Sequence, residues 1–360
     1  MVRPAPTLGE LVDQPRVEGL LDEIGARNAA ARLAGPGRAG DPFYIRLLAA
    51  LGAWAAAACF TSFLHLARLV DLEGTEPLLW SLLFLVPAVV IRRLSRRTFL
   101  VQLTLAFCTA GHLLLLWWAA HWSGDNAVTV LRSLTVAQAA ATALMYWPYR
   151  DRTYRFLAPL AALVLLAVWL AAAGTDLGRE TGRLHLLEAV IVLEAAAGGW
   201  LLARRPSGDF VRPVGYAAAV AAPGALLLLI LWPRAVPPGR PVSLALALGL
   251  SILYLWAAGG SDRLKTEGML TAVAATLALG LITNPGLLAA VGLLVLGYAQ
   301  GDKALLGLGC LFLPLFLAVY YYDLDVTLAY KSWVLAGSGL LLLLARFVAG
   351  RRPWAKEARE

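Results

Sequence analysis

The sequence predicts an all-α protein, a polytopic bundle of about twelve membrane-spanning helices with both termini in the cytoplasm. Three observations support this prediction. The 360 residues are 60% hydrophobic and 15% charged, with a mean hydropathy of +0.70, whereas soluble domains are about 45–50% apolar and about 25% charged. The apolar residues form long runs, and the basic residues cluster in alternate connections between them. One soluble core cannot bury this much apolar surface, so lipid is the expected surrounding.

Twelve apolar runs follow one another along the chain. They are rich in Leu and Ala and lack strict alternation, which favours helices over the strands of a barrel. A helix that crosses the hydrocarbon core needs roughly 17–25 residues. The second, ninth and tenth runs are shorter and are predicted to be re-entrant or to extend beyond their apolar stretch. In order, the runs are Tyr44–Leu66, Leu78–Ile91, Phe99–Ala120, Ala127–Trp147, Phe156–Ala173, Leu184–Ala203, Val214–Trp232, Val242–Ala258, Gly268–Ile282, Leu287–Ala299, Ala304–Tyr321 and Val326–Phe347.

The distribution of Lys and Arg predicts the orientation. The N-terminal segment, the C-terminal tail and one alternate set of connections hold 24 of the 31 basic residues. Cytoplasmic loops are enriched in Lys and Arg, so this set is predicted to be cytoplasmic. One miscounted helix would invert every later connection, so the regular alternation favours twelve spans. The opposite connections hold only Arg68, Arg132, Arg179, Arg183, Arg234 and Arg240.

The chain is predicted to have three parts. Residues 1–43 form a cytoplasmic segment, helical around Val17–Leu33 and followed by a Gly-Pro-Gly linker. This segment mixes arginines with acidic residues and has no early apolar region, so it is not expected to be a signal peptide. Residues 44–347 form the transmembrane bundle, and residues 348–360 form a basic cytoplasmic tail.

Several function classes receive no support from the sequence. Cys59, Cys108 and Cys310 lie in apolar runs without a CxxC pair, so neither a metal site nor a disulfide is predicted. The chain contains no phosphate-binding loop, HExxH, GxSxG or GxGxxG motif, which weakens an enzymatic function without excluding one. No cofactor is predicted. The net charge of +8 is explained by membrane orientation, and nucleic-acid binding is not expected.

Ionisable residues inside the spans are the candidate functional residues, because each costs about 2.5–3.5 kcal/mol at a helix centre on insertion scales. Glu194 lies near the midplane of the sixth span, where its short side chain cannot reach the interface, so a paired or protonated carboxyl is predicted. A second set is predicted to line a polar pocket at the outer face, for a solute, a proton or a lipid head group. This set is Glu188, Lys331, His112 and Arg132, with Asp323 and Asp325 at the mouth.

Two of these cations have an alternative interpretation. Arg132 and Lys331 are close enough to the outer helix ends to extend their charged groups to the interface. If Lys331 instead faces the bundle, Glu188, or failing that Asp325, is its expected partner, since an opposite charge offsets part of the cost of burial.

Glycines crowd the ninth to eleventh runs. Small residues let helix backbones approach closely, so this region is predicted to be tightly packed. A turn is predicted at Asn284–Pro285–Gly286, between two short runs. The glycines in question are Gly280, Gly286, Gly292, Gly297, Gly301, Gly307 and Gly309.

The C-terminal part contains three motifs in sequence: Pro285–Gly286 at the start of a span, a turn from Gly297 to Lys303, and YYDLDVTLAYKS from Tyr321 to Ser332. These motifs, together with Gly40–Phe60, resemble the bacterial membrane family called domain of unknown function 4401. Members of that family are often encoded beside a GDYXXLXY-domain membrane protein. The resemblance therefore implies a multi-component assembly in the inner membrane and no known reaction.

The leading hypothesis is a multi-pass subunit of a small envelope complex in the bacterial inner membrane, in contact with lipid and with a GDYXXLXY-domain partner. Two alternatives stay open. A secondary transporter is favoured by twelve spans and the buried carboxyl of Glu194, although no inverted repeat is visible. A membrane-embedded enzyme would act on a lipid-linked substrate through Asp323 or Asp325. Carboxylates near a helix start also have a simpler role, because they favour the helix dipole.

Overall fold

A computed structural model describes residues 43–69, 74–95, 97–175, 180–203, 210–231, 240–259, 267–282 and 284–323. These ranges contain eleven α-helices and no strand. In chain order they are α1 (Phe43–Leu66), α2 (Glu76–Leu94), α3 (Thr98–His121), α4 (Ala127–Tyr146), α5 (Arg152–Thr175), α6 (Glu180–Ala203), α7 (Arg212–Leu231), α8 (Arg240–Ala257), α9 (Glu267–Ile282), α10 (Pro285–Gln300) and α11 (Lys303–Asp323).

Each of the first eleven apolar runs forms one helix, which confirms the all-helical prediction for this part of the chain. Eight helices are long and apolar enough to cross a membrane. The second run is longer in the structure than its apolar stretch, because α2 begins at Glu76 and continues to Leu94, giving 19 residues. Helices α9 and α10 have 16 residues each. The twelfth run, Val326–Phe347, and the predicted N-terminal helix lie outside the described residues.

The described helices form two compact units. The first contains α1, residues 84–94 of α2 and residues 98–110 of α3. The rings of Phe60, Phe84 and Phe107 meet there, with centroids 5.3–6.0 Å apart. Most apolar side chains of α1 are exposed, as expected for a helix that faces lipid tails on several sides.

The second unit is built around α7. In this helix 61% of the span is buried, against 17–28% in the other long helices. It packs against α5, α6, α10 and α11. Its buried face is rich in alanine, including Ala217, Ala218 and Ala222, and such small side chains let several helices approach one central helix closely.

Glycines mark the closest helix contacts in the second unit. A Cβ atom on Gly198 of α6 would lie 2.7 Å from the backbone nitrogen of Ala219 in α7. One on Gly297 of α10 would lie 2.7 Å from the nitrogen of Leu306 in α11. The predicted tight packing is therefore confirmed at Gly297, and equally at Gly280, Gly286 and Gly309.

The turn between α10 and α11 follows from its sequence. Gly301 has a φ of 66°, a left-handed conformation that favours glycine. The N–H of Asp302 donates to the carbonyl of Gly297 at 2.8 Å, which closes α10 in a Schellman pattern. Oδ1 of Asp302 accepts the N–H groups of Ala304 and Leu305 at 3.0 and 3.4 Å, and so caps α11. Asn284 caps α10 in the same way, at the predicted turn.

Three connections meet at one end of the second unit, which we call the Phe210 end. The ring of Tyr146 lies 4.8 Å from the ring of Phe210, and the guanidinium carbon of Arg155 lies 4.9 Å from the Phe210 ring. Two residues further along the chain, Arg212 contacts Asp302. The α4–α5, α6–α7 and α10–α11 connections are thus on one side of the unit, and all three belong to the basic set in the sequence.

Candidate functional site

The Phe210 end contains an ion pair that the sequence did not indicate. Nη2 of Arg212 lies 3.0 Å from Oδ2 of Asp302, and the Tyr216 hydroxyl donates to the same oxygen. Because Oδ1 caps α11, both oxygens of Asp302 are used. Burial of Asp302 favours its neutral form, but the hydrogen bonds outweigh it and hold the pKa below its ordinary value of 3.8. Nearby, the side-chain amide of Gln300 donates to the carbonyl of Leu202. These contacts fix α10 and α11 against the ends of α6 and α7.

An apolar groove of about 340 Å³ runs between α6, α7, α8 and α10 of the second unit. Every described residue that lines it is apolar, and most are Ala, Gly or Leu. Trp200 of α6 and Trp256 of α8 also line it, and both rings are exposed. The groove is therefore open at the molecular surface, within the apolar part of three long helices and of the shorter α10.

Glycines create the room in this groove. Gly199, Gly249 and Gly292, one each from α6, α8 and α10, line it, and a Cβ atom on any of them would meet nothing within 4 Å. This is the opposite of Gly198, where backbone contact leaves no space. The predicted tight packing therefore does not extend to Gly292, nor to Gly301 and Gly307, which also have open space. At Gly199, Gly249 and Gly292 the absence of a side chain leaves the empty volume of the groove.

His112 belongs to a buried polar network that joins α3, α4 and α5. Its Nδ1 lies 3.1 Å from Oε1 of Gln138, and its Nε2 lies 3.0 Å from the hydroxyl of Tyr154. Since Gln138 Oε1 can only accept, Nδ1 has the proton and Nε2 accepts from Tyr154. The amide of Gln138 donates onward to the carbonyl of Ala158 at 3.2 Å. The network satisfies its polar groups internally, which is typical of an interhelical connection.

Glu194 is buried in α6, with 5% of its surface exposed. Neither of its carboxyl oxygens has a hydrogen-bond partner among the described residues. It does not line the groove. The structure thus places this predicted site residue in the packed interior of the second unit.

The other predicted site residues are placed as follows. Glu188 is partly buried on α6, and its Oε2 lies 3.2 Å from Nδ1 of His185. Arg132 is exposed on α4. Asp323 ends α11, and its side chain lies outside the described part, as do Asp325 and Lys331. The predicted outer pocket, and the pairing of Lys331, therefore stay predictions. Within the described ranges, no three His, Cys, Asp or Glu side chains lie together as metal ligands would.

The long apolar helices, the groove and the basic connections at one end define a multi-pass helical membrane protein. Within this class, the chain belongs to the family described as Domain of unknown function (DUF4401), which it matches over residues 42–352. The match confirms the resemblance seen in the C-terminal motifs. No curated protein and no solved structure has significant similarity to the chain.

Proposed function

We propose that the protein is a lipid-binding subunit of the bacterial inner membrane, which holds the acyl chain of an anionic phospholipid in the groove. The groove is the observation on which this proposal depends. Its lining is apolar and it opens at the surface of spanning helices, where hydrocarbon chains are the surrounding medium. A preformed apolar cleft with few polar groups is typical of a site for an apolar ligand.

The preference for an anionic head group comes from charge. Ala203 lines the groove and is the last residue of α6. The sequence continues with Arg204 and Arg205, and the half-exposed Arg212 begins α7. Basic residues near a membrane surface attract anionic lipid by about 1 kcal/mol each. A phospholipid with its chain in the groove would have its head group on this basic side.

The proposal is tested by thermal unfolding of the purified chain in mild detergent, with added phosphatidylglycerol or phosphatidylcholine of the same acyl composition. Phosphatidylglycerol should raise the melting temperature more, by an amount equivalent to about 2.7 kcal/mol at a hundred times the dissociation constant. Gly249→Leu and Gly292→Leu fill the groove and should remove this increase. Gly307→Leu, an equally open position outside the groove, should retain it. Equal increases in all three variants would contradict the proposal.

We further propose twelve spans with both termini in the cytoplasm. The contacts at the Phe210 end support this proposal. Three connections of the basic set lie on one side of the second unit. An even number of helices separates each of them from the next, as is required if all three are on the same side of the membrane. Cytoplasmic reporters fused after Arg97, Arg155 and Lys265 should be active. Alkaline phosphatase should be active after Asp125 and Arg240. Reversed activity at two consecutive connections would contradict twelve spans.

The partner in this proposal is a GDYXXLXY-domain membrane protein, and the two chains form a small envelope complex. The resemblance to domain of unknown function 4401 supports this choice. Affinity purification of the tagged chain from native membranes, followed by mass spectrometry, should recover that protein. Its absence from a preparation that retains the folded chain would contradict the assembly.

Two other functions make different predictions. A secondary transporter would be stabilised by a soluble substrate, and the buried carboxyl of Glu194 favours this alternative. An enzyme acting on a lipid-linked substrate would lose an envelope glycolipid in an Asp325→Asn strain. The groove favours lipid binding over both, since its described lining contains no charged residue and no hydroxyl or amide side chain.

A further inference from the structure

The position of Glu194 sets it apart from the other acidic residues of the described helices. It lies nine residues before the end of α6, about 13 Å along the helix axis at the standard rise. Only 5% of the residue is exposed, and both carboxyl oxygens are without a hydrogen-bond partner in the described part of the chain. A carboxylate buried in this way would lose its hydration with no compensating contact.

The groups around Glu194 on its own helix and on α7 are apolar. Leu187 and Ile191 are buried on α6, and Gly198 one turn further contacts Ala219 of α7. The antiparallel register of these contacts places Pro223 of α7 level with Glu194. A proline has no N–H to donate.

The described helices that pack against α6 also provide no charge at this level. They are α5, α7, α8 and α10. Their titratable and charged side chains all lie in the first or last two turns. These are Arg152, Tyr154 and Arg155 of α5, Arg212 and Tyr216 of α7, Arg240 and Tyr254 of α8, and Tyr298 of α10. On α6 itself, Glu180, Arg183, His185 and Glu188 all precede Glu194 by six residues or more.

We propose that Glu194 is an intramembrane proton-binding site, occupied by a proton in the resting protein. The proton neutralises a carboxyl that has no cation beside it in the described part of the chain. Its release leaves a charge that only a second event could stabilise, such as entry of a cation or water. Ionisable residues at this depth typically mark proton or ion pathways. The site is separate from the lipid groove, whose lining does not include Glu194.

A hydrophobic carbodiimide, N,N′-dicyclohexylcarbodiimide, tests for a protonated carboxyl in an apolar surrounding. The carboxyl oxygen bonds to the central carbon of the reagent, and the carboxyl proton moves to one of its nitrogens. The resulting O-acylisourea rearranges by transfer of the acyl group from oxygen to nitrogen, which gives a stable N-acylurea. All atoms of both reactants are retained.

The full chain in native membranes is treated with this reagent, and its peptides are analysed by mass spectrometry. Glu194 should form the adduct, and the yield should fall as the pH is raised, because only the protonated form reacts. A water-soluble carbodiimide should leave it unmodified. Glu188, on the same helix but beside His185, is the matched control and should react less. An unmodified Glu194 in a preparation whose other carboxyls react would overturn the proposal.

Glu194→Gln provides a second, independent test. The amide matches a neutral carboxyl in size and polarity, so the melting temperature should be unchanged if Glu194 is protonated. If Glu194 is instead ionised against a cation, the substitution leaves that cation uncompensated, which destabilises the fold and lowers the melting temperature. A clear loss of stability in Glu194→Gln would therefore overturn the proposal. This outcome does not depend on how added phospholipid changes the melting temperature of the wild-type protein.

Discussion

Arg212 and Asp302 are 90 residues apart in the sequence, and Nη2 of the first lies 3.0 Å from Oδ2 of the second. The contact joins the start of α7 to the turn between α10 and α11. It therefore places two basic connections on the same side of the second unit. The same aspartate caps α11 through its other oxygen, so one residue determines both a local turn and a distant helix contact.

Two substitutions of Asp302 separate these roles. Asp302→Asn keeps an oxygen to cap α11 but removes the charge opposite Arg212. The expected loss is about 0.2–1 kcal/mol, because the Arg212 side chain is 54% exposed and solvent weakens the pair. Asp302→Ala also removes the cap, which adds about 1 kcal/mol. Thermal unfolding in detergent measures both, and equal stabilities of the two variants would show that the cap contributes nothing.

The ion pair also predicts a pH dependence. The pKa of Asp302 in the folded protein lies below its ordinary value of 3.8. Its contribution to the free energy of unfolding is therefore complete above pH 3.8 and is lost as the pH falls through the folded pKa. The difference in melting temperature between wild type and Asp302→Asn should be constant near neutral pH and should disappear in acid. A difference that persists at the lowest pH would contradict the contribution of the charge.

Adjacent glycines on α6 should respond in opposite ways to alanine. Gly198→Ala forces a Cβ atom to within 2.7 Å of the Ala219 nitrogen, so the helices must separate, at a cost of about 1–3 kcal/mol. Gly199→Ala meets open space and should gain about 0.5–1 kcal/mol from reduced backbone entropy in the unfolded chain. Comparing the two melting temperatures tests the close approach of α6 and α7. Similar effects would contradict it.

The buried network of α3, α4 and α5 predicts a small and specific loss. Tyr154→Phe removes the hydroxyl that donates to Nε2 of His112. Interhelical hydrogen bonds of this kind average about 0.6 kcal/mol in membrane proteins, with a maximum of about 1.7. Tyr298→Phe, at an exposed tyrosine of α10, is the control and should have no measurable effect. The hydrogen bond is not stabilising if both variants unfold at the same temperature.

The sequence predicted the described helices well because each apolar run forms one separate helix. The run Phe99–Ala120, for example, extends by only one residue at each end to form α3. The second run was predicted to be re-entrant or longer than its apolar stretch, and it is longer, since α2 includes polar ends at Glu76 and Arg93. Residues beyond an apolar stretch continue a helix as long as their side chains can reach the interface.

The candidate site was less predictable, because it depends on which helices become neighbours. Glu194 could be selected from its depth alone, since few residues could compensate a charge there. Asp302 could not, as its partner Arg212 is distant in sequence. Gly198 and Gly199 are neighbours in the sequence but face different sides of α6. Gly198 contacts α7 and Gly199 has open space beside it, and this difference depends on where α7 lies.

The most direct test of the lipid groove is photocrosslinking with a phosphatidylglycerol that has a diazirine in the middle of one acyl chain. Peptide mapping of the irradiated full chain should place the adducts in the groove segments of α6, α8 and α10, around Trp200, Leu253 and Leu293. Gly249→Leu should reduce these adducts. A uniform distribution, with equal labelling of exposed α1 residues such as Leu48 and Phe63, would contradict a specific lipid site.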